Sequence, residues 1–110
     1  MKSQEKNIDP ELLQYVIDCM PLKELLAQLA EEASELAQAA LKLRRTYDQI
    51  NPTPVPKEDA LKHLYEEIAD VWMMIKTLGL DEDPFVSSYQ ERMAEKVKRW
   101  AKRLDGSCDA

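Results

Sequence analysis

The sequence predicts an all-α fold of four helices, and three observations carry that prediction. Ala, Leu, Glu, Lys, Gln and Arg dominate the 110 residues, and all of them form helices readily. Glycine occurs only twice, at Gly79 and Gly106, and three of the six prolines crowd into residues 52–56. Turn chemistry is therefore scarce, which argues against a β-rich chain. Apolar residues recur at helical spacing through most of the sequence.

Residues 1–8 are polar and are expected to be a flexible end. Asp9-Pro10 has the form of a helix start, an acid at the N-cap followed by proline at the first helical position. Glu11 to Met20 then carries Leu12, Leu13, Val16 and Ile17 on one side. Pro21 interrupts this helix and can begin the next. The second helix has Leu22, Leu25, Leu26, Leu29, Ala33, Leu36, Ala37, Ala40 and Leu43 at helical spacing and is predicted to reach Tyr47. The run NPTPVP, Asn51 to Pro56, reads as a stiff connection. A third helix is predicted from Lys57 to Leu78, with Leu61, Leu64, Ile68, Val71, Trp72, Ile75 and Leu78 as its buried face. Gly79 suits its C-terminus. Asp83-Pro84 repeats the start signal and opens a fourth helix to Leu104, with 105–110 as a second flexible end. Its apolar positions are sparser: Phe85, Val86, Tyr89, Met93, Val97, Trp100 and Leu104. No repeat is evident, so residues 1–110 read as one domain.

A formal net charge of −6 disfavours a polynucleotide partner, because phosphate backbones select for basic faces. Cys19 and Cys108 match no zinc spacing and are too few for a disulfide-built domain, which suits a reduced, cytoplasmic location. The N-terminus lacks the apolar stretch of a signal peptide. The longest apolar run, Val71 to Ile75, is too short to span a bilayer, so no membrane partner is expected. The apolar faces are broad for a lone bundle of this size, which predicts a homodimer or tetramer.

The acids of the second and third helices carry the chemistry. The second contains Glu31-Glu32-Ala33-Ser34-Glu35, the third Glu66-Glu67-Ile68-Ala69-Asp70. At about 100° per residue, Glu32 and Glu35 share one flank of the second helix, and Glu67 and Asp70 share a flank of the third. If the two helices pack antiparallel, the pairs can face each other. Four carboxylates at a half-buried edge repel unless a cation neutralises them, and all-oxygen ligation points to magnesium or manganese. The competing reading is a solvated charged face, since a third of the chain is charged. A di-iron bundle needs Glu-x-x-His on two helices, and His63 is the sole histidine.

The order Glu31-Glu32-x-x-Glu35 followed by Glu67-x-x-Asp70 resembles the MazG-like all-α nucleoside triphosphate pyrophosphohydrolases. The surrounding runs QLAEEASELAQAALKLRR and EEIADVWMMI are similar to that family as well, from Leu22 to Leu78, as is the basic final helix with Lys98-Arg99-Trp100. The resemblance implies a four-helix MazG-like bundle assembled into a homo-oligomer. It implies hydrolysis between the α and β phosphates of a nucleoside triphosphate, giving a monophosphate and pyrophosphate. By position it implies Glu32, Glu35, Glu67 and Asp70 as ligands of Mg2+, with Mn2+ as a substitute. Glu31 matches the first acid of the motif and is expected to support the site or bind a second ion.

On this reading Glu35 is the candidate general base for the attacking water. For the departing pyrophosphate, Lys96 and Arg99 on the fourth helix are the chosen cations, an i, i+3 pair. Lys42, Arg44 and Arg45 read as favouring the dipole at the end of the second helix. His63, one turn before Glu67, either lines the pocket and contacts nucleotide or is an idle surface histidine. Trp72 reads as core, Met73-Met74 as packing, and Asn51 either reaches the pocket or serves the turn before Pro52. Two rivals remain: a helical module for a protein partner, and a nucleotide sensor without turnover.

Overall fold

The computed structural model describes residues 7–48 and 55–109. Among them are four helices and no strand: α1 (Pro10–Cys19), α2 (Leu22–Asp48), α3 (Lys57–Thr77) and α4 (Phe85–Asp109). The all-α expectation holds.

The helix ends follow local chemistry. The Asp9 carboxylate accepts from the backbone N–H groups of Glu11 (2.9 Å) and Leu12 (3.5 Å), and Pro10 fills the first helical position. Both N–H groups would otherwise have no intrahelical partner. Pro21 ends α1 and begins α2: its carbonyl accepts from the N–H groups of Glu24 and Leu25 at 3.0 and 3.1 Å. Pro56 does the same for α3, accepting from Asp59 and Ala60. At the far end of α3, Gly79 adopts φ +72°, the left-handed conformation that favours glycine. The connection Asn51 to Pro54 lies outside the described residues.

The chain forms two compact units, Met1–Leu78 and Gly79–Ala110. In the first, α2 packs against α3, and α1 contacts α3. The α2–α3 pair is antiparallel: the Lys57 ammonium lies 3.8 Å from the centre of the Tyr47 ring near the connection, and Glu32 and Glu35 meet Glu67 midway along. The seam buries Leu25 and Ala39 from α2 and Ala60, Glu67, Met74 and Thr77 from α3. Ala39 and Ala60 are essentially inaccessible, at 0 % and 1 % exposure.

The seam is rotated away from the apolar stripe read in the sequence. Half-buried positions of α2 include Gln28, Glu32, Lys42 and Thr46, whereas Leu22 and Leu26 are exposed. On α3, Leu64, Val71, Ile75 and Leu78 are partly buried as expected, but Leu61, Ile68 and Trp72 are exposed. Trp72, expected in the core, is 51 % exposed, and its ring lies 5.6 Å from the Lys76 ammonium. The physical reason is that the seam admits polar side chains between the helices, so part of each stripe turns outward. On α1, Leu13, Val16 and Ile17 are half-buried while Leu12 is exposed.

In the second unit, the Tyr89 hydroxyl donates to the Leu80 carbonyl at 2.6 Å, tying the turn to α4. The Ser87 hydroxyl donates to the Asp83 carboxylate at 3.2 Å. The helix begins at Phe85 and continues beyond Leu104 through Gly106 to Asp109, residues expected to be a flexible end. A glycine inside a helix costs about 1 kcal/mol relative to alanine, a cost α4 tolerates here. Phe85, Tyr89, Met93, Val97, Trp100 and Leu104 are all exposed along it. Among the described residues, no helix is long and apolar enough to cross a membrane.

Candidate metal centre

The antiparallel pairing brings Glu32 and Glu35 of α2 to Glu67 of α3. One carboxylate oxygen from each lies within 4.8 Å of the others. Two of these acids are held by a neighbour one turn earlier on the same helix. Gln28 Nε2 donates to Glu32 Oε2 at 2.7 Å, and His63 Nε2 lies 3.2 Å from Glu67 Oε2. Each tether uses an i, i+4 spacing, which places the two side chains on one helix face.

The other oxygens are the informative ones. Glu32 Oε1 and Glu67 Oε1 are both buried and have no hydrogen-bond partner. Glu67 as a whole is only 9 % exposed. Leaving a buried acceptor unsatisfied costs about 1–3 kcal/mol, and more for a charged one. Two such atoms in one cluster mark a place where the chain lacks a positive partner. Glu35, the most open of the three, has its carboxyl raised above the usual range by desolvation. The charges of Glu32, Glu67 and Glu31 add to the shift, as does a hydrogen bond with Glu32. A cation held by the three would remove both the repulsion and the unmet acceptors. A donor set made only of carboxylate oxygens fits a hard divalent ion such as magnesium or manganese.

Four of the expected residues, Asp70, Glu31, Lys96 and Arg99, fall outside this cluster. Asp70 is exposed and is not among the three acids whose oxygens converge. Glu31 is also exposed and acts on Glu35 through its charge alone. Lys96 and Arg99 lie on α4, in the second unit, and the Lys96 ammonium sits 5.6 Å from the centre of the Trp100 ring. His63 is engaged with Glu67, a contact that neither alternative read from the sequence foresaw.

A cavity of about 430 Å3 opens beside the acids, lined by Glu35, Gln38, Leu41, Lys42, Arg45, His63 and Glu67. Sequence reasoning missed Gln28 as the partner of Glu32, and Gln38, Lys42 and Arg45 as cavity wall. The signal was available in the spacing. Gln28 precedes Glu32 as His63 precedes Glu67, and Gln38, Lys42 and Arg45 continue the stripe that starts at Glu35. Comparisons with protein-family models, curated proteins and solved structures return no match.

Proposed function

We propose that the protein is a magnesium-dependent nucleoside triphosphate pyrophosphohydrolase of the MazG-like kind, with Glu32, Glu35 and Glu67 holding the ion and Asp70 and Glu31 as outer acids. The observation that carries the reading is the pair of buried, unpartnered oxygens, Glu32 Oε1 and Glu67 Oε1, converging with Glu35 from two helices. The choice of the α–β phosphate bond rests on the sequence resemblance.

Magnesium bound there would polarise a phosphoryl group and acidify a water, with manganese able to substitute. The chain's own residues supply the rest. Gln28 and His63 fix the orientation of Glu32 and Glu67. Glu35, the most open of the three acids, is the candidate to take the proton of the attacking water. Water adds across the α–β anhydride, the bond to the bridging oxygen breaks, and monophosphate and pyrophosphate leave. On this reading the protein works in the cytoplasm as a homodimer or tetramer, its exposed Ile68 and Trp72 covered by another copy.

The test is product analysis on ribo-, deoxyribo- and modified nucleoside triphosphates with and without magnesium. Monophosphate and pyrophosphate, formed only with metal, are expected. Diphosphate and orthophosphate would overturn the assigned bond. Binding without any product would favour a sensor. Neither binding nor product would favour a partner-binding module, a reading that the exposed Ile68 and Trp72 also suit.

A further inference from the structure

We infer that Lys42 and Arg45 form the phosphate-binding wall of the cavity, holding the outer phosphates of the substrate against the acids that hold its cation. This rests on the metal-centre reading and names how that same site receives a polyphosphate. Both residues line the cavity that Glu35 and Glu67 also line. They follow Glu35 on α2 at i+7 and i+10, so they lie on its stripe, toward the C-terminal end of the helix. Side chains in a helix lean toward its N-terminus, the direction in which Glu35 lies from both.

Their pairing is the second argument. The chain has 21 acids against 15 Lys and Arg, so a basic side chain has carboxylates in surplus. Yet among the described residues neither Lys42 nor Arg45 makes an ion pair, although each shares a cavity with two carboxylates. Acids at one end and cations at the other leave a gap that suits a chelated polyphosphate. Its oxygens meet the cation on one side and the ammonium and guanidinium on the other. Arg44 provides an internal control. It sits next to Arg45 near the same helix end and is exposed as Arg45 is, but it does not line the cavity. A role limited to the helix dipole would make the two arginines equivalent.

The experiment is calorimetric titration of the full chain with Mn2+ alone and then with inorganic tripolyphosphate, with and without Mn2+. Tripolyphosphate carries the phosphates without base or sugar. Wild type is expected to bind Mn2+, and to bind tripolyphosphate with it. Lys42→Gln and Arg45→Gln should leave Mn2+ affinity unchanged and weaken tripolyphosphate by about 10-fold or more each, as loss of a charged hydrogen bond predicts. Lys42→Arg should retain most of the affinity, and Arg44→Gln should match wild type. Circular dichroism of each variant checks that its helices form. Equal tripolyphosphate affinity in wild type and in the double variant Lys42→Gln/Arg45→Gln would overturn the inference, as would an equal loss in Arg44→Gln. Binding of neither Mn2+ nor tripolyphosphate by wild type would sink the metal-centre reading and this one together. Tripolyphosphate binding that ignores Mn2+ but weakens in Lys42→Gln would sustain the cationic wall and remove the metal centre.

Discussion

Glu35 holds its proton more tightly than a free glutamate because it loses water and faces Glu32, Glu67 and Glu31. That has a stability consequence whose sign can be worked out. Below the ordinary value of 4.5, folded and unfolded chains both carry the proton, and Glu35 costs the fold nothing. As pH rises from there through the raised folded value, the unfolded chain releases its proton more readily, and the metal-free fold loses stability. Glu35→Gln removes that loss. The melting temperature of the metal-free variant should exceed that of wild type at neutral pH, and the two should converge below about pH 4. Magnesium should reverse the order, since a ligand at a hundred times its Kd stabilises by about 2.7 kcal/mol and the variant lacks one of its holders. Thermal melts across pH, with and without magnesium, decide this. Parallel pH profiles for the two proteins would show that the three acids do not crowd one another.

At the scale of the helices, the most deeply buried positions of the α2–α3 seam are alanines. Ala39 and Ala60 are fully buried, so a larger side chain at either must displace packed neighbours. Ala39→Leu should cost about 1–3 kcal/mol through overpacking, read as a lower urea midpoint. An unchanged midpoint would mean that the helices have room to spare. Much of this level was legible in the sequence. Asp9-Pro10, Pro21, Pro56 and Gly79 act locally, through the backbone groups beside them, so their effect can be read without knowing the fold. The rotation of the seam could not be read in the same way. Periodicity locates an apolar stripe on one helix but does not say which flank the neighbour covers, so Leu61, Ile68 and Trp72 were placed inside while Gln28 and Thr77 were not. Glu32, Glu35 and Glu67 were legible from their helical spacing, whereas Asp70, read as the pair of Glu67, is exposed and not among the converging acids. The tethers, the unpartnered oxygens and the cavity wall depend on the helix opposite, which no single run of residues contains.

Across the whole molecule, apolar exposure is the dominant property. The first unit exposes Leu22, Leu26, Ile68 and Trp72, and the second exposes Met93, Val97, Trp100 and Leu104. Monomeric proteins rarely leave contiguous apolar patches of more than a few hundred Å2 open to water. Sedimentation of the full chain should therefore give the mass of two or four copies. Trp72→Lys should shift it toward one copy without loss of helicity, because the added charge would be desolvated in any contact that covers α3. A wild-type protein that sediments as a single copy would refute the assembly.

The two tethers point in opposite directions along the hairpin. Gln28 holds Glu32 from the N-terminal side of α2, and His63 holds Glu67 from the N-terminal side of α3, and these helices run antiparallel. The acids therefore behave like a vernier between two rails. Sliding one helix by a single residue moves one mark about 1.5 Å past the other. A cation gripped by both rails would be a detent against that slip, so its grip would report helix register, and a shear between α2 and α3 would be felt first as a weakened hold on the ion.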